Sequence, residues 1–513
     1  MKQTCYAYLR GAFAALGDGP AVTQAGRTLS RAAFLAETDA LAGYLAGIGV
    51  EAGAVVAVLL PTQIEAFAAF YAINRLGAVA DLVHPLAPVT TVAQALAIPE
   101  TKAVLIPAEI APPLAEAIRA SGLPCIVCGE APTAALPGAH FYETCIRKGR
   151  GRPAPVACDP EAPAVLLHGG GTSGEPRSVL LSSANLNAVA AQLERYDAPD
   201  RAPGEAALTA LPLFHAFGLA VALHYPLTHG YNCAALPRFS GEAANALLRE
   251  YRPAFLVGVP ALFRKMLEAP QFEGTHLQSL RLVFSGGDSL PASLAASFDA
   301  AVRRHGGSAR LRSGYGLTEV SSVCTVNADP ARAGSVGRPL PGIRIEILDA
   351  QGQCLPPGAV GEIAVRGETV MLGYYQGDLN ARDCGVETDD AGGRQIRTGD
   401  LGYLDADGFL FFVGRQKRVI LRSGYTVYPS EIEAAALTQP FVAEACAVQG
   451  TRDACIRLYL SLRAPTPLAE ERVLQACRAS LPRYAWPQAV EILPALPRTA
   501  LGKIDYRTLA DRG

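Results

Sequence analysis

Apolar and polar positions alternate in two ways along the first part of the chain. Short runs rich in Val, Leu and Ile have the length of buried strands, and they occupy 54–61, 102–107, 163–168, 255–260 and 281–287. The Ala-rich segments between them, such as 62–77 and 241–251, carry apolar residues at helical spacing. Strand, loop and helix repeated in this order predict a layered α/β domain with a largely parallel sheet.

The pattern changes after about residue 335. Apolar segments at 343–348, 361–367 and 408–415 are separated by turn dipeptides such as Asp407-Gly408. Such spacing is typical of antiparallel strands joined by tight turns. We therefore predict a β-rich subdomain in this region.

The last part of the chain predicts a small α+β domain. Its pattern indicates a helix at 429–437, strands near 442–448 and 456–462, and another helix at 468–480. The polar segment Gly414-Arg415-Gln416-Lys417 precedes it. We place the boundary there, which makes 1–414 the N-terminal domain and 415–513 the C-terminal domain.

Composition narrows the class of protein. The 513 residues are too many for one core, and 50% of them are hydrophobic. A net charge of −2 gives no sign of a nucleic-acid surface. The pair Cys125-x-x-Cys128 has no second pair at metal-binding spacing, so we interpret it as part of a buried strand. The N-terminus lacks a signal-peptide pattern and no long apolar run occurs, so we expect a cytoplasmic protein without a transmembrane helix.

The segment LHGGGTSGEPR, residues 167–177, is typical of a phosphate-binding loop. Successive glycines let backbone N–H groups point into one concavity, and Thr172, Ser173 and Arg177 add hydroxyl donors and charge. Gly174 is followed by Glu-Pro rather than Lys-Ser/Thr, so it is not a Walker loop. A glycine-rich hairpin without a binding role is the alternative. A strand at 179–181 and a helix starting near Ser183 follow it.

Two further segments carry candidate chemistry. In Ser313-Gly-Tyr-Gly-Leu-Thr-Glu319 the glycines allow close backbone approach to a ligand, Tyr315 suits stacking on a flat ring, and Glu319 suits Mg²⁺. The alternative is a turn capped by Thr318. Asp400 lies in Thr-Gly-Asp-Leu-Gly, which predicts a Gly-bounded turn whose carboxylate suits ribose hydroxyls, or a simple Asx turn.

Two isolated residues are weaker candidates when taken alone. His215 stands among apolar residues in Leu-Pro-Leu-Phe-His-Ala-Phe-Gly, where a core histidine is the alternative to a functional one. Lys503 follows a glycine near the C-terminus, where it either reaches into a cleft or is simply solvated.

Taken together and in this order, the segments resemble the adenylate-forming superfamily of acyl-CoA synthetases, stand-alone adenylation domains and beetle luciferases. The resemblance covers nearly the whole chain. The matching segments are 169–177, 211–219, 285–290, 313–319, 334–342, 361–367, 397–417, 423–433 and 497–505.

The resemblance implies a fold, a reaction and cofactors. The fold would be a large N-terminal domain of layered α/β subdomains plus a β-rich subdomain, followed by a small mobile α+β C-terminal domain, with the active site between them. The reaction would join a carboxylic acid to ATP as acyl-AMP and then transfer the acyl group to coenzyme A. The cofactors would be ATP, Mg²⁺ and coenzyme A.

The resemblance also assigns the residues that bind ATP. The β and γ phosphates would lie on Gly170, Gly171, Thr172, Ser173, Gly174 and Arg177. The adenine would be surrounded by Gly286, Gly287, Gly314, Tyr315 and Gly316, with Tyr315 stacking on it. Asp400 and Arg415 would bind the ribose.

The remaining roles implied by the resemblance concern the chemical steps. Thr318 would contact the α-phosphate, and Glu319 would hold Mg²⁺. Lys503 would bridge the carboxylate and the α-phosphate, while His215 would stand at the acyl pocket. Gly424 would lie on the loop that approaches the pantetheine thiol, and Lys417 matches the hinge position.

Several positions depart from the family pattern. In the loop, Gly169 replaces a hydroxyl residue, Arg177 a lysine and Ser178 a glycine. Outside the loop, the departures are Ser183, Ser313 and Leu421. Thr318, Glu319, Asp400, Arg415 and Lys503 keep the family residue, so we expect an active enzyme whose loop is the first place to look for weakened ATP binding.

The leading hypothesis is an acyl-CoA synthetase for a fatty or aromatic acid, because 423–433 resembles the acyl-CoA ligase form of that segment. The alternatives are a stand-alone adenylation enzyme that loads an acyl or amino acid onto a carrier protein, an inactive homologue that acts as a binding protein, and a luciferase-type oxidase. By resemblance the acid pocket is lined near 215–218, 286–289 and 313–315. These residues are mostly small or apolar, and Asp288 either faces a polar substituent or caps a turn.

Overall fold

The structure is a computed structural model that describes residues 3–109, 112–129, 138–168, 177–197, 204–380, 384–388, 393–422, 425–451, 455–498 and 504–512. Its described residues form two compact units. The first contains those up to 168, from 177 to 344 and from 365 to 396, and the second those from 345 to 364 and from 397 onward.

Strands are numbered in chain order. They are β1 Pro20–Gln24, β2 Arg27–Ser30, β3 Val55–Val58, β4 Val79–Leu82, β5 Thr101–Pro107, β6 Cys125–Cys128, β7 His140–Phe141, β8 Pro163–His168, β9 Ser178–Ser182, β10 Ala206–Thr209, β11 Asn232–Ala235, β12 Phe255–Gly258, β13 Leu282–Ser285, β14 Leu311–Tyr315, β15 Thr325–Val326, β16 Arg338–Pro339, β17 Arg344–Leu348, β18 Gly361–Arg366, β19 Gly373–Tyr374, β20 Glu387–Thr388, β21 Arg394–Leu404, β22 Leu410–Arg415, β23 Ile420–Arg422, β24 Tyr425–Val427, β25 Val442–Gln449, β26 Ile456–Leu462 and β27 Ala489–Ile492.

The α-helices are numbered in the same way. They are α1 Cys5–Leu16, α2 Arg31–Gly47, α3 Ile64–Arg75, α4 Val89–Leu96, α5 Pro112–Ser121, α6 Tyr142–Gly149, α7 Ser183–Asp197, α8 Tyr225–Thr228, α9 Gly241–Tyr251, α10 Pro260–Glu268, α11 Ala292–Arg304, α12 Pro429–Leu437, α13 Ala469–Ser480 and α14 Tyr506–Arg512. A π-helix occupies Phe217–His224, and 3₁₀ turns occupy Thr275–Ser279, Thr318–Val320, Gln416–Arg418 and Arg483–Ala485.

Two largely parallel sheets organise the first unit. One has the order β16-β15-β14-β13-β12-β10-β11-β1-β2, and it is parallel from β14 to β1. The other has the order β19-β9-β8-β4-β3-β5-β6-β7, and it is parallel from β8 to β7. Strands such as β3 are buried along their whole length, as expected where helices cover both faces of a sheet. The predicted layered α/β architecture is confirmed.

The hairpin around the glycine-rich loop also follows the prediction. Strands β8 and β9 are antiparallel neighbours, and α7 begins at Ser183. The segment Cys125–Cys128 is strand β6 with all four residues buried, and burial raises the pKa of the Cys125 thiol to about 12. The described residues contain no cluster of three potential metal ligands and no helix long and apolar enough to cross a membrane.

The predicted strands after residue 335 lie in a five-stranded sheet of order β17-β18-β21-β20, with β22 paired to β21. The pair β21 and β22 is antiparallel. Further along, α12 and α13 cover the sheet β25-β26-β27, with Ile432, Leu458 and Val473 in their common core. The predicted helices and strands of this C-terminal α+β region are confirmed. The boundary at 414/415 stays a prediction; Gly414 and Arg415 end β22, and Gln416–Arg418 forms a 3₁₀ turn.

Candidate active site

The carboxyl ends of β13 and β14 bring together the two glycine segments assigned to the adenine. Ser285 and Ser313 are register partners, so Gly286 follows one strand beside Gly314 at the end of the other. A Cβ atom on Gly286 would lie 3.9 Å from the Gly314 carbonyl oxygen and 3.3 Å from the Phe217 ring. The two segments therefore form one edge of the parallel sheet, where ligands commonly bind in open α/β folds.

Close packing of the backbone explains the glycines of the Ser313–Glu319 segment. A Cβ atom on Gly316 would lie 1.6 Å from the Ser322 carbonyl oxygen, and one on Gly314 would lie 3.0 Å from that of Thr325. We expected these glycines to allow close approach of a ligand; the structure shows that the chain packs closely on itself there. Tyr315 is paired with Thr325 and is only 8% exposed.

Thr318 and Glu319 lie in the short 3₁₀ turn that follows. The turn ends at Ser321, a non-glycine residue with φ of 59°, whose hydroxyl donates to the Thr369 carbonyl at 2.7 Å. The Met371 amide donates to the Glu319 carbonyl at 2.9 Å. Both half-buried side chains are thus held on a turn that is hydrogen bonded to the segment leading into β19.

Tyr374 is a candidate site residue that the sequence analysis missed. Its hydroxyl donates to Glu319 Oε1 at 2.9 Å, and the Arg177 guanidinium lies 4.9 Å from the centre of its ring. It reaches this place because β19 pairs with β9, which sets Tyr374 opposite Val179. Glycine, aromatic and apolar residues at 370–375 are the only sequence signal, and they are equally typical of an ordinary edge strand.

Arg177, Tyr374 and Glu319 form what we call the carboxylate anchor. Burial raises the pKa of the Tyr374 phenol, the charge of Glu319 and its hydrogen bond raise it further, and Arg177 partly opposes them. The phenol therefore stays protonated at neutral pH and donates a hydrogen bond to the carboxylate. The hydrogen bond from Tyr374 fixes the direction of the Glu319 carboxylate.

Asp400 and Arg415 meet in the second unit. We expected Asp400 in a Gly-bounded turn, and this is wrong: it lies within strand β21, as the register partner of Arg415 on β22. Arg415 Nε lies 3.1 Å from Asp400 Oδ1. The Asp400 side chain is 4% exposed and that of Arg415 40%, so the cation covers a buried carboxylate.

Glu362 explains why this segment is a strand. One of its carboxylate oxygens accepts the Gly399 amide at 3.0 Å, and the other accepts Arg397 Nε at 2.7 Å. The Thr398 hydroxyl donates to the Ile363 carbonyl and accepts the Asp400 amide. These contacts supply partners for the backbone around Gly399, whose φ is +70°, and so keep the strand continuous to Asp400.

Aromatic rings surround the segment assigned to the acid. The ring centre of Phe214 lies 4.9 Å from that of the half-buried His215 and 4.4 Å from that of His84. Phe217 lies 5.8 Å from Phe284 at the start of the π-helix, a feature that is frequent at functional sites.

The structure gives local reasons for Gly218, Asp288 and Gly287, which lie in the segments assigned to the carboxylic acid substrate. A Cβ atom on Gly218 would lie 1.9 Å from the Pro212 carbonyl oxygen, so glycine is required there for packing. The Asp288 carboxylate accepts the Ser289 amide at 2.8 Å, which favours the turn-capping alternative. Gly287 has φ of +79°, a conformation that favours glycine.

Several assigned residues lie outside the described residues: Gly170, Gly171, Thr172, Ser173, Gly174, Gly424 and Lys503. Glu319 fits the role of a magnesium ligand, because Mg²⁺ is usually held by one or two carboxylates together with substrate phosphates rather than by an all-protein cage. One Glu319 oxygen is bonded to Tyr374, and the side chain is half-buried.

Comparison with known proteins decides the family. The AMP-binding enzyme model matches residues 10–375, and the AMP-binding enzyme C-terminal domain matches 431–503. The chain belongs to the adenylate-forming AMP-binding enzymes.

Named relatives are CoA ligases. A sulfoacetate–CoA ligase of Cupriavidus necator is 31% identical over 490 residues, which cover 93% of this chain and 91% of the relative. An indoleacetate–CoA ligase of Aromatoleum aromaticum is 34% identical over 386 residues, which cover 72% of each. The solved structure of o-succinylbenzoate CoA synthetase from Bacillus subtilis, in complex with its acyl-adenylate intermediate, matches with a TM-score of 0.82 at 25% identity and 98% coverage of both chains.

These matches confirm the predicted fold class and enzyme class. The protein is an AMP-forming CoA ligase, a class that uses ATP and coenzyme A. The same relatives give no support to a carrier-protein partner.

Proposed function

We propose that this CoA ligase activates a carboxylic acid with an uncharged aromatic or medium-chain aliphatic tail and transfers the acyl group to coenzyme A. The observation that supports the adenylation step is the carboxylate anchor: the Glu319 carboxylate, fixed by Tyr374, on the turn that follows the paired glycine segments. The acyl assignment depends on the aromatic surroundings of His215.

In this proposal each part of ATP has its own residues. Gly286, Gly287 and the Gly314-Tyr315-Gly316 segment surround the adenine, and Asp400 with Arg415 binds the ribose. Arg177 and the loop residues Gly170 to Gly174 hold the leaving phosphates. Thr318 contacts the α-phosphate, and Glu319 holds Mg²⁺, which would supply positive charge to the phosphate oxygens.

The chemistry proposed is an in-line displacement at the α-phosphorus. The acid's carboxylate oxygen forms a bond to phosphorus, and the bond to pyrophosphate breaks. The acid is already ionised, so no general base is required, and the main obstacle is the repulsion between two anions. Lys503 would offset that repulsion by bridging the carboxylate and the α-phosphate.

In the second step the thiolate of coenzyme A attacks the acyl carbonyl, and AMP leaves with the oxygen that joined it to the acyl group. Gly424 lies on the segment that would approach the pantetheine. We propose that residues 415–513 form the C-terminal domain that moves between the two steps, with 1–414 as the N-terminal domain. The cytoplasmic location stays a prediction.

The charges near His215 support an uncharged acid tail. Burial lowers the pKa of His84, so this ring, which contacts Phe214, carries no charge at neutral pH. Asp288 is exposed and bonded within its own turn. An anionic tail would need a cation there, and the described residues of the assigned segments, 215–218, 286–289 and 313–315, contain no Lys or Arg.

A panel assay tests the function. The purified protein is incubated with ATP, Mg²⁺, coenzyme A and aromatic, aliphatic and sulfonated acids, and acyl-CoA products are identified by mass spectrometry. We expect aryl- or medium-chain acyl-CoA together with AMP. Absence of AMP with every acid would contradict the enzyme assignment, and a sulfonated acid as the best substrate would contradict the neutral pocket.

The role of Lys503 needs the two steps to be separated. We expect Lys503→Ala to block acyl-AMP formation while leaving thioester formation from supplied acyl-AMP largely intact. Arg498→Ala, a nearby basic residue bonded to Glu444, is the matched control. Equal loss of both steps in Lys503→Ala would contradict the assignment of Lys503 to acyl-AMP formation.

A further inference from the structure

Three side chains form a hydrogen-bonded chain across the two strands that flank the glycine-rich loop. His168 is the last residue of β8 and Ser178 the first of β9, and the two are register partners. His168 Nδ1 lies 3.0 Å from Ser178 Oγ, and His168 Nε2 lies 2.6 Å from Asp81 Oδ1. We call this chain the loop neck, because residues 169–177 lie between its two ends.

Asp81 places a buried carboxyl group in the loop neck. It is 0% exposed on β4, and its Oδ2 has no hydrogen-bond partner among the described residues. An isolated buried carboxylate is costly, so a cation beside it is strongly favoured. His168 is the basic group in contact with it.

The surroundings of His168 support its charged form. Burial lowers the pKa of His168, but the charge of Asp81 and its hydrogen bond outweigh burial and raise it above the usual value. Burial raises the pKa of Tyr375, and the charges of Glu100, Asp81 and Asp378 raise it further, so this phenol stays neutral.

The protonation state of His168 decides what the Ser178 hydroxyl can do. A protonated imidazole donates from both nitrogens, to Asp81 and to Ser178, so the Ser178 hydrogen is free to be donated elsewhere. A neutral ring keeps its hydrogen on the nitrogen facing Asp81, and its other nitrogen then accepts the Ser178 hydrogen. Deprotonation therefore turns Ser178 from an outward donor into an inward one.

We propose that the loop neck is a proton-controlled phosphate contact, in which His168, held by Asp81, presents the half-exposed Ser178 hydroxyl to the phosphates of ATP. Ser178 is one of the positions where this chain departs from its family, and at the other end Gly169 lacks the usual hydroxyl residue. Ser178 thus replaces at one end of the loop a donor that is missing at the other. The proposal rests on the proposed function, because it requires that the loop hold ATP.

The sign of the pH effect follows from linkage. ATP binds more tightly to the protonated form, so its affinity is greatest below the raised pKa of His168 and falls as the pH rises through it. The loss of one hydrogen bond to a charged phosphate corresponds to about a tenfold change in affinity. ATP binding must also take up protons when the pH is near that pKa.

Calorimetry with ATP and Mg²⁺, without a carboxylic acid, tests this without turnover. We expect the dissociation constant of the wild type to rise about tenfold between pH 6 and pH 9, with a proton uptake that is visible as a difference between buffers of different ionisation enthalpy. Ser178→Ala should bind with the weak high-pH affinity throughout and show no pH dependence beyond that of His168→Gln, while Ser178→Thr should restore the wild-type pH dependence. His168→Gln supplies the baseline from the titration of ATP itself.

The outcomes separate the two proposals. If the wild type binds no ATP at any pH, the proposed function and the loop neck both fail. If it binds ATP but Ser178→Ala keeps the full pH slope, the loop neck alone is overturned. If His168→Gln does not fold, Ser178→Ala still decides the question, because it leaves the Asp81–His168 pair in place. Asp81→Asn should shift the midpoint of the slope to lower pH.

Discussion

Glu319 and Asp400 are both assigned to ATP, yet the protein holds them in opposite ways. Glu319 is half-buried and is bonded to a neutral phenol, the Tyr374 hydroxyl. Asp400 is nearly fully buried and is paired with a cation, the guanidinium of Arg415. The group bonded directly to the carboxylate is therefore neutral at one site and positively charged at the other.

The difference shows how one type of side chain is adapted to two tasks. A fixed carboxylate with its full charge suits a divalent cation, which needs charge as well as direction. A carboxylate neutralised by Arg415 remains a good acceptor for hydroxyl groups but attracts metal weakly. In the proposed assignment, the partner of each carboxylate and not the acid itself decides which part of ATP it would bind.

The strongest test removes the charge at the first site. We expect Glu319→Gln to lower kcat/KM for acyl-AMP formation by about 100-fold or more, because a carboxylate that holds a catalytic metal contributes several kcal/mol. The amide keeps the size of the side chain and can still accept from Tyr374. Rates measured across a Mg²⁺ titration should show a much higher Mg²⁺ requirement, and an unchanged requirement would contradict the metal role.

The second test removes the charge at the other site. We expect Asp400→Asn to raise KM for ATP about tenfold, because hydrogen bonds to charged acceptors contribute about 1.5–3 kcal/mol, while the Mg²⁺ requirement stays normal. The wild type should prefer ATP to its deoxy analogues, and the variant should lose this preference. If the variant and the wild type discriminate equally between ATP and its deoxy analogues, Asp400 does not bind the ribose.

The third test leaves both charges in place and loosens only the anchor. We expect Tyr374→Phe to lower kcat for acyl-AMP formation about fivefold through lost orientation, a cost of about 1 kcal/mol, with little change in the Mg²⁺ requirement. Tyr375→Phe, at the neighbouring position packed among apolar residues, is the matched control. A Mg²⁺ requirement that rises as in Glu319→Gln would mean that Tyr374 does more than position the carboxylate.

The smallest effect is expected from Glu362, which supports Asp400 through the backbone. Glu362→Gln keeps one acceptor oxygen, so we expect a loss of about 1 kcal/mol in the free energy of unfolding and only about a twofold rise in KM for ATP. Denaturant unfolding measures the change in stability, and steady-state kinetics measure the change in KM for ATP. The control is Glu387→Gln, which changes an exposed acid on β20. Equal effects in both variants would show that Glu362 does not support Asp400.

Local pattern was sufficient for most elements. Strand β8 has the bounds that its apolar run predicted, and Cys125–Cys128 is the buried strand expected. Asp400 was placed wrongly, because Gly-Asp-Leu-Gly is typical of a turn and only the Glu362 side chain, distant in sequence, shows why the strand continues.

The contacts that orient the site could not be predicted from the sequence, because they too join residues that are distant in the chain. Tyr374 and Glu319 are 55 residues apart, and His168 and Asp81 are 87 residues apart. No local signal pairs such residues, since their approach depends on which strands are neighbours in the sheet. Strand order sets β19 beside β9 and β4 beside β8.

The sequence by itself determined the family, the reaction class and the identity of the acidic residues, because ordered motifs and local periodicity survive in a one-dimensional chain. The tertiary structure alone decided their partners: a phenol for Glu319, a guanidinium for Asp400 and a histidine for Asp81. Charge and hydrogen bonding act through space over a few ångströms, so the chemical character of each carboxylate was settled only when the strands came together.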